Sequence, residues 1–269
     1  MKKLPAILLL IMMICLAFLS AGAEETVLAD NTQCLVRVNR MEQAGDTFTM
    51  ELYVENKSSV AAMFSLSGTA VNGYVVNAQW SMELVPGDSC EDVVLLEDLS
   101  QQGITDDVSI LSFDFRVYNA EAVTADNFLL ERFTLYPLGE DKAAVQERKQ
   151  RNKDIEVFVN EDVTCLITEF GKDPQWGYKM TAWLENKSDE TVVFTVDDVK
   201  VNGILMDPYW VCEIPPKTRA FSDLCWSHTD FEESGIQEVE ELDLLFRVLG
   251  SSEETSILSY KKNIVIWPE

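Results

Sequence analysis

The sequence contains a single histidine, so chemistry that needs an imidazole is confined to His228. Cys225 lies three residues before it and Asp230 two residues after it. A cysteine nucleophile needs a base within hydrogen-bond reach, and closeness along the chain does not establish that contact. The alternative is a surface histidine just before residues 229–232, whose spacing is that of a helix capping box ended by Gly235. We favour the surface position for His228, and we expect that the protein is not an enzyme.

No other motif of catalysis or cofactor binding is present. The chain has no GxSxG elbow, no HExxH motif and no glycine-rich phosphate loop. Its 46 acidic residues must include pairs at glycosidase-like separation by chance, so such pairs carry no specificity. Asp106-Asp107, Asp197-Asp198 and Asp162 could supply oxygen ligands to calcium, but a solubilising acidic surface is the favoured explanation. We expect no metal and no cofactor.

Tryptophan side chains are the remaining candidates for ligand binding. Trp80 and Trp210 follow matching motifs, which favours a role in filling the core. Trp176, Trp183 and Trp226 have no such counterpart, so they are candidate residues for stacking against a sugar ring.

The first 23 residues have the pattern of a secretory signal peptide: a basic start at Lys2 and Lys3, an apolar run, and small residues before Ala23. We expect cleavage after Ala23 and a secreted or cell-surface protein. A retained anchor is the alternative, although the apolar run is shorter than the ~20 residues that span a bilayer.

An odd number of cysteines follows this segment, so at least one is unpaired in the monomer: Cys34, Cys90, Cys165, Cys212 and Cys225. An exported protein can hold disulfides. Cys212 and Cys225 flank the Pro215-Pro216 turn, so they could bridge adjacent strands, and we predict a disulfide between them. Cys34 and Cys165 are predicted at matching positions as small buried residues.

The formal net charge of −25 argues against nucleic acid as a partner, because such binding depends on Lys and Arg that neutralise phosphates. It equally disfavours an anionic membrane surface.

The chain repeats itself at an offset of 130. Between residues 55 and 80, nine of 26 positions are identical to those 130 further on, including the motifs ENKS and VNG and a tryptophan. A period this long indicates tandem domains rather than a solenoid. Both copies alternate apolar and polar residues, as at 47–55, and place Asn-Gly between apolar residues, which is typical of strands and tight hairpins.

The predicted fold is all-β, with two tandem immunoglobulin-like β-sandwiches after the signal peptide. The expected segments are 1–23 for the signal peptide, 24–138 for the first sandwich, 139–153 for a linker and 154–269 for the second sandwich. The linker is rich in helix-forming and basic residues, so we expect it to be short, exposed and partly helical. A short crossover helix is expected in both copies, between Asp98 and Gly103 in the first.

The motif set resembles a module of exported and surface proteins of Gram-positive bacteria. It is most complete in the second copy: Glu185-Asn186-Lys187, Val201-Asn202-Gly203, Asp207-Pro208-Tyr209-Trp210 and Phe246-Arg247-Val248. The resemblance implies an immunoglobulin-like fold and no known activity.

The predicted role is non-catalytic binding or adhesion, with an unknown protein or glycan at the cell surface as the partner. Two alternatives stay open. One is a structural spacer or assembly module that acts through sheet edges or acidic faces, and the other is a carbohydrate-binding module.

Overall fold

A computed structural model describes residues 25–122, 127–250 and 259–268. Repeat 1 contains β1 (Thr26–Asp30), β2 (Cys34–Ala44), β3 (Thr47–Asn56), β4 (Ala62–Val71), β5 (Tyr74–Val75), β6 (Trp80–Leu84), β7 (Ser89–Leu96), β8 (Leu111–Asn119) and β9 (Leu129–Leu135). Repeat 2 contains β10 (Ile155–Val159), β11 (Val163–Asp173), β12 (Gly177–Asn186), β13 (Val192–Val201), β14 (Ile204–Leu205), β15 (Val211–Ile214), β16 (Arg219–Trp226), helix α1 (His228–Ser234), β17 (Leu242–Gly250) and β18 (Ser259–Ile266). The predicted signal peptide lies outside the described residues.

Each repeat is a sandwich of two antiparallel sheets with the same strand order. In repeat 1, sheet A has the order β1-β2-β3-β7, and sheet B has β5 and β6 on one side of β4, followed by β8 and β9. In repeat 2, sheet C (β10-β11-β12-β16) and sheet D (β14 and β15, then β13-β17-β18) repeat this order. The chain crosses between the two sheets after the third, sixth and seventh strands, which gives the Greek-key connectivity of an immunoglobulin-like sandwich. The all-β prediction is confirmed.

Alternation of buried and outward-facing side chains builds the two cores, and it is strict in β3. In β3, the side chains of Phe48, Met50, Leu52 and Val54 are buried while their neighbours face outward. The matching tryptophans close each core from the sixth-strand region. Trp80 Nε1 donates to Asp92 Oδ2 across the sandwich at 2.9 Å, and Trp210 Nε1 donates to Ser222 Oγ at 2.8 Å. Trp210 is buried and Trp80 packs against the core, in agreement with the predicted role of both residues.

The ENKS motif is a structural turn in both repeats. The amide of Asn186 is buried, and its Nδ2 donates to the carbonyls of Glu190 at 2.7 Å and Ile214 at 2.9 Å. Its Oδ1 accepts from the backbone N–H and the hydroxyl of Ser188. Asn56 makes the equivalent bonds in repeat 1. Each asparagine therefore fixes the third-to-fourth strand turn onto the neighbouring loop, and its buried amide is closed to glycosylation.

The VNG motif forms the predicted tight hairpins. Asn72 and Gly73 have φ of 48° and 87°, and Asn202 and Gly203 have φ of 50° and 79°. Positive φ at both central residues is the signature of the turn that asparagine-glycine favours. Both asparagine side chains also accept hydrogen bonds from the loop before the eighth strand of their repeat, so each hairpin is anchored to its own sandwich.

The register corrects the predicted alignment of Cys34 with Cys165. Cys34 lies opposite Asn56, whereas Cys165 lies opposite Leu184, two residues before the equivalent Asn186. The structural counterpart of Cys165 is therefore Val36. Both cysteines are fully buried, as predicted.

The crossover helix forms only in repeat 2. Helix α1 is capped by Ser227, whose hydroxyl accepts from the backbone N–H of Asp230, and it ends at Gly235 with φ of 73°. The cap therefore lies two residues before the predicted position at Thr229. In repeat 1, residues 98–103 form successive turns instead of a helix, because Asp98 has φ of 52° rather than the extended backbone of an N-cap.

Among the described residues, no helix has the length and apolar character needed to cross a membrane.

Candidate functional site

The two repeats meet where the edge of sheet B reaches the edge of sheet C. Tyr74 in β5 pairs in parallel with Arg219 at the start of β16, and the backbone N–H of Arg219 donates to Gly73 O at 2.8 Å. The Tyr74 ring stacks on Phe221 with a centroid separation of 6.0 Å. This junction joins the two sheets into one nine-stranded sheet.

Apolar side chains on the outer face of sheet C are buried by the junction. Leu166 and Trp183 point away from the core of repeat 2, yet they belong to the apolar cluster of repeat 1. Gly103 of repeat 1 approaches Phe221 so closely that a Cβ at this position would lie 3.0 Å from the ring. The predicted ligand-stacking role of Trp183 is wrong, because its ring is covered by the neighbouring repeat.

Arg219 is the central polar residue of the junction. Its guanidinium lies 3.3 Å from a carboxylate oxygen of Glu185 and 3.4 Å from one of Glu147, and it donates to the carbonyl of Gln146 at 3.1 Å. It also lies over the Tyr74 ring, 5.9 Å from the centroid. One cation thus connects repeat 2, the segment between the repeats and the edge of repeat 1.

Residues 143–153, which we name the strap, run across this junction without regular secondary structure. Only Glu140–Lys142 before them are helical, as a single 3₁₀ turn. Gln146 binds repeat 1 through both its backbone and its side chain: its N–H donates to Asn72 O at 3.0 Å, and its amide bonds Thr105 N–H and Gly103 O. Within the predicted linker, residues 139–153, this single helical turn agrees with the expected partly helical form, while the strap is exposed and hydrogen-bonded to the fold without regular secondary structure.

The basic residues of the strap pair with repeat 2. Arg148 donates to Asp154 at 2.9 Å, and its guanidinium lies 5.5 Å from the centre of the Trp183 ring. Arg151 approaches Glu169 at 3.5 Å and donates its backbone N–H to Asp154. Burial raises the pKa of Asp154, but the hydrogen bonds from Arg151 and Arg148 outweigh this effect, so its pKa lies below the ordinary value. The strap charges thus offset the acidity of the neighbouring repeat.

Two clefts flank the junction. The larger, of about 650 Å³, lies between residues 75–79 of repeat 1 and β15 and β16 of repeat 2, with Phe221 in its wall. The second, of about 500 Å³, lies between the strap and the outer face of sheet C, where Lys179 pairs with Asp223 at 3.2 Å. Both clefts are open to solvent, and the second also contains the Arg151–Glu169 pair.

The edge of sheet D that corresponds to the junction edge of sheet B is open. Ile204 and Leu205 of β14 correspond to Tyr74 and Val75, and within the described residues β14 is the terminal strand of its sheet. Tyr74 is 2% exposed, whereas Ile204 is 44% and Leu205 is 70% exposed. Tyr209 (91%) and Val211 (67%), just before and at the start of β15, are also exposed, and we name these four residues the open edge.

Tyr209 is held in an unfavourable backbone conformation. Its φ is +50°, which is a rare conformation for an aromatic residue, and its N–H donates to Asp207 Oδ1 at 2.7 Å. The Asp207 side chain and Pro208 therefore present an exposed aromatic ring at the open edge.

The other two predicted stacking residues have different environments. Trp226 is fully buried, and its Nε1 donates to Met206 O at 2.9 Å, so its predicted ligand role is wrong. Trp176 lies at the tip of the hairpin between β11 and β12 and is half-exposed, so it still has a free face.

The His228 cluster shows no activated nucleophile. His228 is exposed at the first position of α1, and its Nε2 lies 3.2 Å from Pro174 O. The pKa of the Cys225 thiol is raised by burial and by Asp223, which is the opposite of the shift that activates a cysteine. His228 also lines an apolar cleft of about 330 Å³ with Tyr178 and Phe231.

The predicted disulfide is not formed in this structure. Cys212 lies opposite Phe194 in sheet D, and Cys225 lies opposite Lys179 in sheet C, so the two thiols belong to different layers. All five cysteines of the described residues are unpaired. The turn at Pro215 carries the chain from one sheet to the other rather than between adjacent strands.

The acidic pairs do not assemble into a ligand set. Asp197 pairs with Arg247, and Asp162 accepts a hydrogen bond from the Tyr260 hydroxyl. In the parts of the chain that the structure describes, no three Asp, Glu, His or Cys side chains are grouped as a metal site would require.

Comparison with known proteins assigns no family to this chain. No family model and no curated protein sequence matches the chain. Among solved structures, red sea bream transglutaminase is similar at 10% identity and a TM-score of 0.24, over 90% of this chain and 32% of that chain. The calcium binding domain CBD12 of CALX1.1 is similar at 14% identity and a TM-score of 0.22, over 77% of this chain and 75% of that chain. This chain thus spans about a third of the transglutaminase.

Proposed function

We propose that this protein is a non-catalytic binding module whose partner is another protein, bound through the open edge of repeat 2. The observation that carries the proposal is the contrast between two equivalent edges. The edge of repeat 1 is covered by repeat 2, while the same edge of repeat 2 exposes four large apolar side chains. Exposed apolar margins of this kind are typical of protein interaction sites, and an unpaired strand readily accepts another strand.

The junction supports this function by holding the repeats together. Its apolar contacts and its Arg219 ion pairs present the open edge on a two-repeat unit rather than on a freely moving domain. This arrangement combines the predicted binding role with the assembly alternative. The carbohydrate-binding alternative keeps only Trp176 of its three aromatic residues.

We propose that the module acts outside the cytoplasm, after removal of residues 1–23. The pattern before Ala23 supports this location and sets the start of the first repeat at residue 24, while the proposed repeat boundaries at 24–138 and 154–269 rest on the internal repeat. N-terminal sequencing of the exported protein should begin at Glu24. A first residue of Met1 would contradict the cleavage.

The experiment immobilises the wild-type protein and its variants and compares how much protein from the producing cells' envelope and medium each one binds reversibly. We expect Leu205→Glu to reduce specific binding at least tenfold, because it places a charge in the contact. The matched control is Leu130→Glu, which changes an equally exposed leucine on the edge strand β9 of repeat 1. Equal binding by both variants would refute the open edge as the site, and binding lost only in Trp176→Ala would favour a glycan.

A further inference from the structure

We propose that the partner at the open edge is a β-sandwich protein other than a second copy of this chain, whose docking strand has a basic residue followed two positions later by an aromatic one. The inference rests on the proposed function and specifies the chemistry of its partner. The template is the junction itself, where repeat 2 supplies this strand to repeat 1.

In the junction, the outer face of sheet C in repeat 2 covers the β5 edge of repeat 1, and its residues show what a partner face needs. Arg219 opens the docking strand and donates its backbone N–H to the hairpin of the incoming edge. Two residues later, Phe221 stacks against Tyr74. Leu166 and Trp183 extend the apolar floor beside this strand. Ile204 and Leu205 take the places of Tyr74 and Val75 at the open edge, so an equivalent face would cover them.

The described part of a second copy of this chain does not offer such a face. Its free sheet edge of the same type is β7, where Ser89 stands in the place of Arg219 and Glu91 in the place of Phe221. Leu166 and Trp183 are replaced by Arg37 and Tyr53, which stack on each other with the guanidinium 4.8 Å from the ring centre. The apolar open edge would therefore meet a polar face with a carboxylate at its centre.

Charge favours the same choice of partner. Each chain carries a net charge of −25, so two copies repel one another. Within the chain, this repulsion is offset by Arg148, Arg151 and Arg219 at the junction. The strap that supplies two of these cations connects repeat 1 to repeat 2 and has no counterpart beside the open edge within the described residues. The partner must therefore supply the positive charge.

The test places the Arg-x-Phe pattern of β16 on β7, which lacks it, and measures whether the chain then self-associates. Ser89→Arg with Glu91→Phe places the repeat 2 pattern on β7, at two positions that are exposed and therefore tolerant of change. We expect the wild-type chain to sediment as a monomer and the double variant to self-associate at least tenfold more tightly. Adding Leu205→Glu to the double variant should restore the monomer.

Three results would overturn the inference. Self-association of the wild type that Leu205→Glu abolishes would make the partner a second copy. A double variant that stays monomeric while its near-ultraviolet circular dichroism matches the wild type would show that the Arg-x-Phe pattern is insufficient. If the double variant does not fold, a photocrosslinker at position 205 identifies the partner strand instead. A partner strand without the basic and aromatic residues would refute the inference. Loss of partner binding in Leu205→Glu tests the proposed function separately.

Discussion

Two buried asparagines carry much of the local order in this fold, one in each repeat. Asn186 donates to carbonyls of two loops and accepts from Ser188, so a single amide connects three backbone segments. These carbonyls have no water to replace a lost donor, because the asparagine is buried.

We predict that Asn186→Ala lowers the free energy of unfolding by about 2–4 kcal/mol, since it leaves several buried polar groups unsatisfied at about 1–3 kcal/mol each. Urea denaturation followed by tryptophan fluorescence measures this loss. Asn152→Ala, in the exposed strap, is the matched control and should change stability by less than about 0.5 kcal/mol. A similar small effect at Asn186 would contradict the structural role of the ENKS turn.

Tyr209 should separate stability from binding. Its positive φ costs on the order of 1–3 kcal/mol for a residue of this type, and asparagine adopts this conformation more readily. We therefore expect Tyr209→Asn to leave the melting temperature unchanged or raised while partner binding falls. Unchanged binding would remove Tyr209 from the interaction surface.

At the level of single residues, the sequence predicts what depends on local chemistry. The Asn-Gly turns, the ENKS turns and the core positions of Trp80 and Trp210 follow from turn preferences and alternation. The positions of Trp183 and Trp226 could not be predicted in this way, because an exposed tryptophan and a buried one have the same sequence signature. For Trp183 a signal did exist: it interrupts the polar outward face of β12.

Among the elements, the linker between the repeats follows only in part from its composition. Its composition predicts a partly helical segment, and the helix is limited to Glu140–Lys142 because the polar groups of the strap bond to the two repeats, and these tertiary contacts outweigh weak intrinsic propensity. The helix predicted in repeat 1 fails for a similar reason: Asp46 of another loop accepts from the N–H and hydroxyl of Ser100, which holds the segment as turns.

The strap should respond to acid through Asp154. The pKa of this carboxyl is lower in the folded protein than in the unfolded chain, so its stabilisation is present above about pH 4 and is lost as the pH falls through the folded value. We predict that Asp154→Asn costs about 1–3 kcal/mol at pH 7 and that this difference shrinks below pH ~4. Urea titrations across pH measure it, with the exposed Asp141→Asn as control. A difference that does not change with pH would exclude the ion pairs as its cause.

At the scale of the whole molecule, duplication predicts the architecture but not the way the copies meet. The equivalence of strands follows from the repeated motifs. The junction depends on positions where the copies differ: Arg219 and Phe221 in repeat 2 correspond to Ser89 and Glu91 in repeat 1. Because the repeat is recognised from identical residues, these positions give no sequence signal for the junction.

Arg219→Ser, which introduces the residue found at the equivalent place in repeat 1, should loosen the junction without unfolding either sandwich. We expect faster proteolysis within residues 143–153 and a larger radius of gyration by X-ray scattering, because the cation that connects both repeats and the strap is lost. Lys217→Ser, which removes a neighbouring exposed cation, is the control. Identical scattering by wild type and Arg219→Ser would show that the apolar contacts alone hold the repeats together.

The central claim is that the open edge of repeat 2 is a protein-binding surface. The most direct measurement places a photoreactive amino acid at position 205, with position 130 as the control, in the full chain within the producing cells. We predict one discrete covalent adduct from position 205, formed with a different protein and absent from position 130. Adducts of equal yield at both positions, or none at position 205, would contradict the claim.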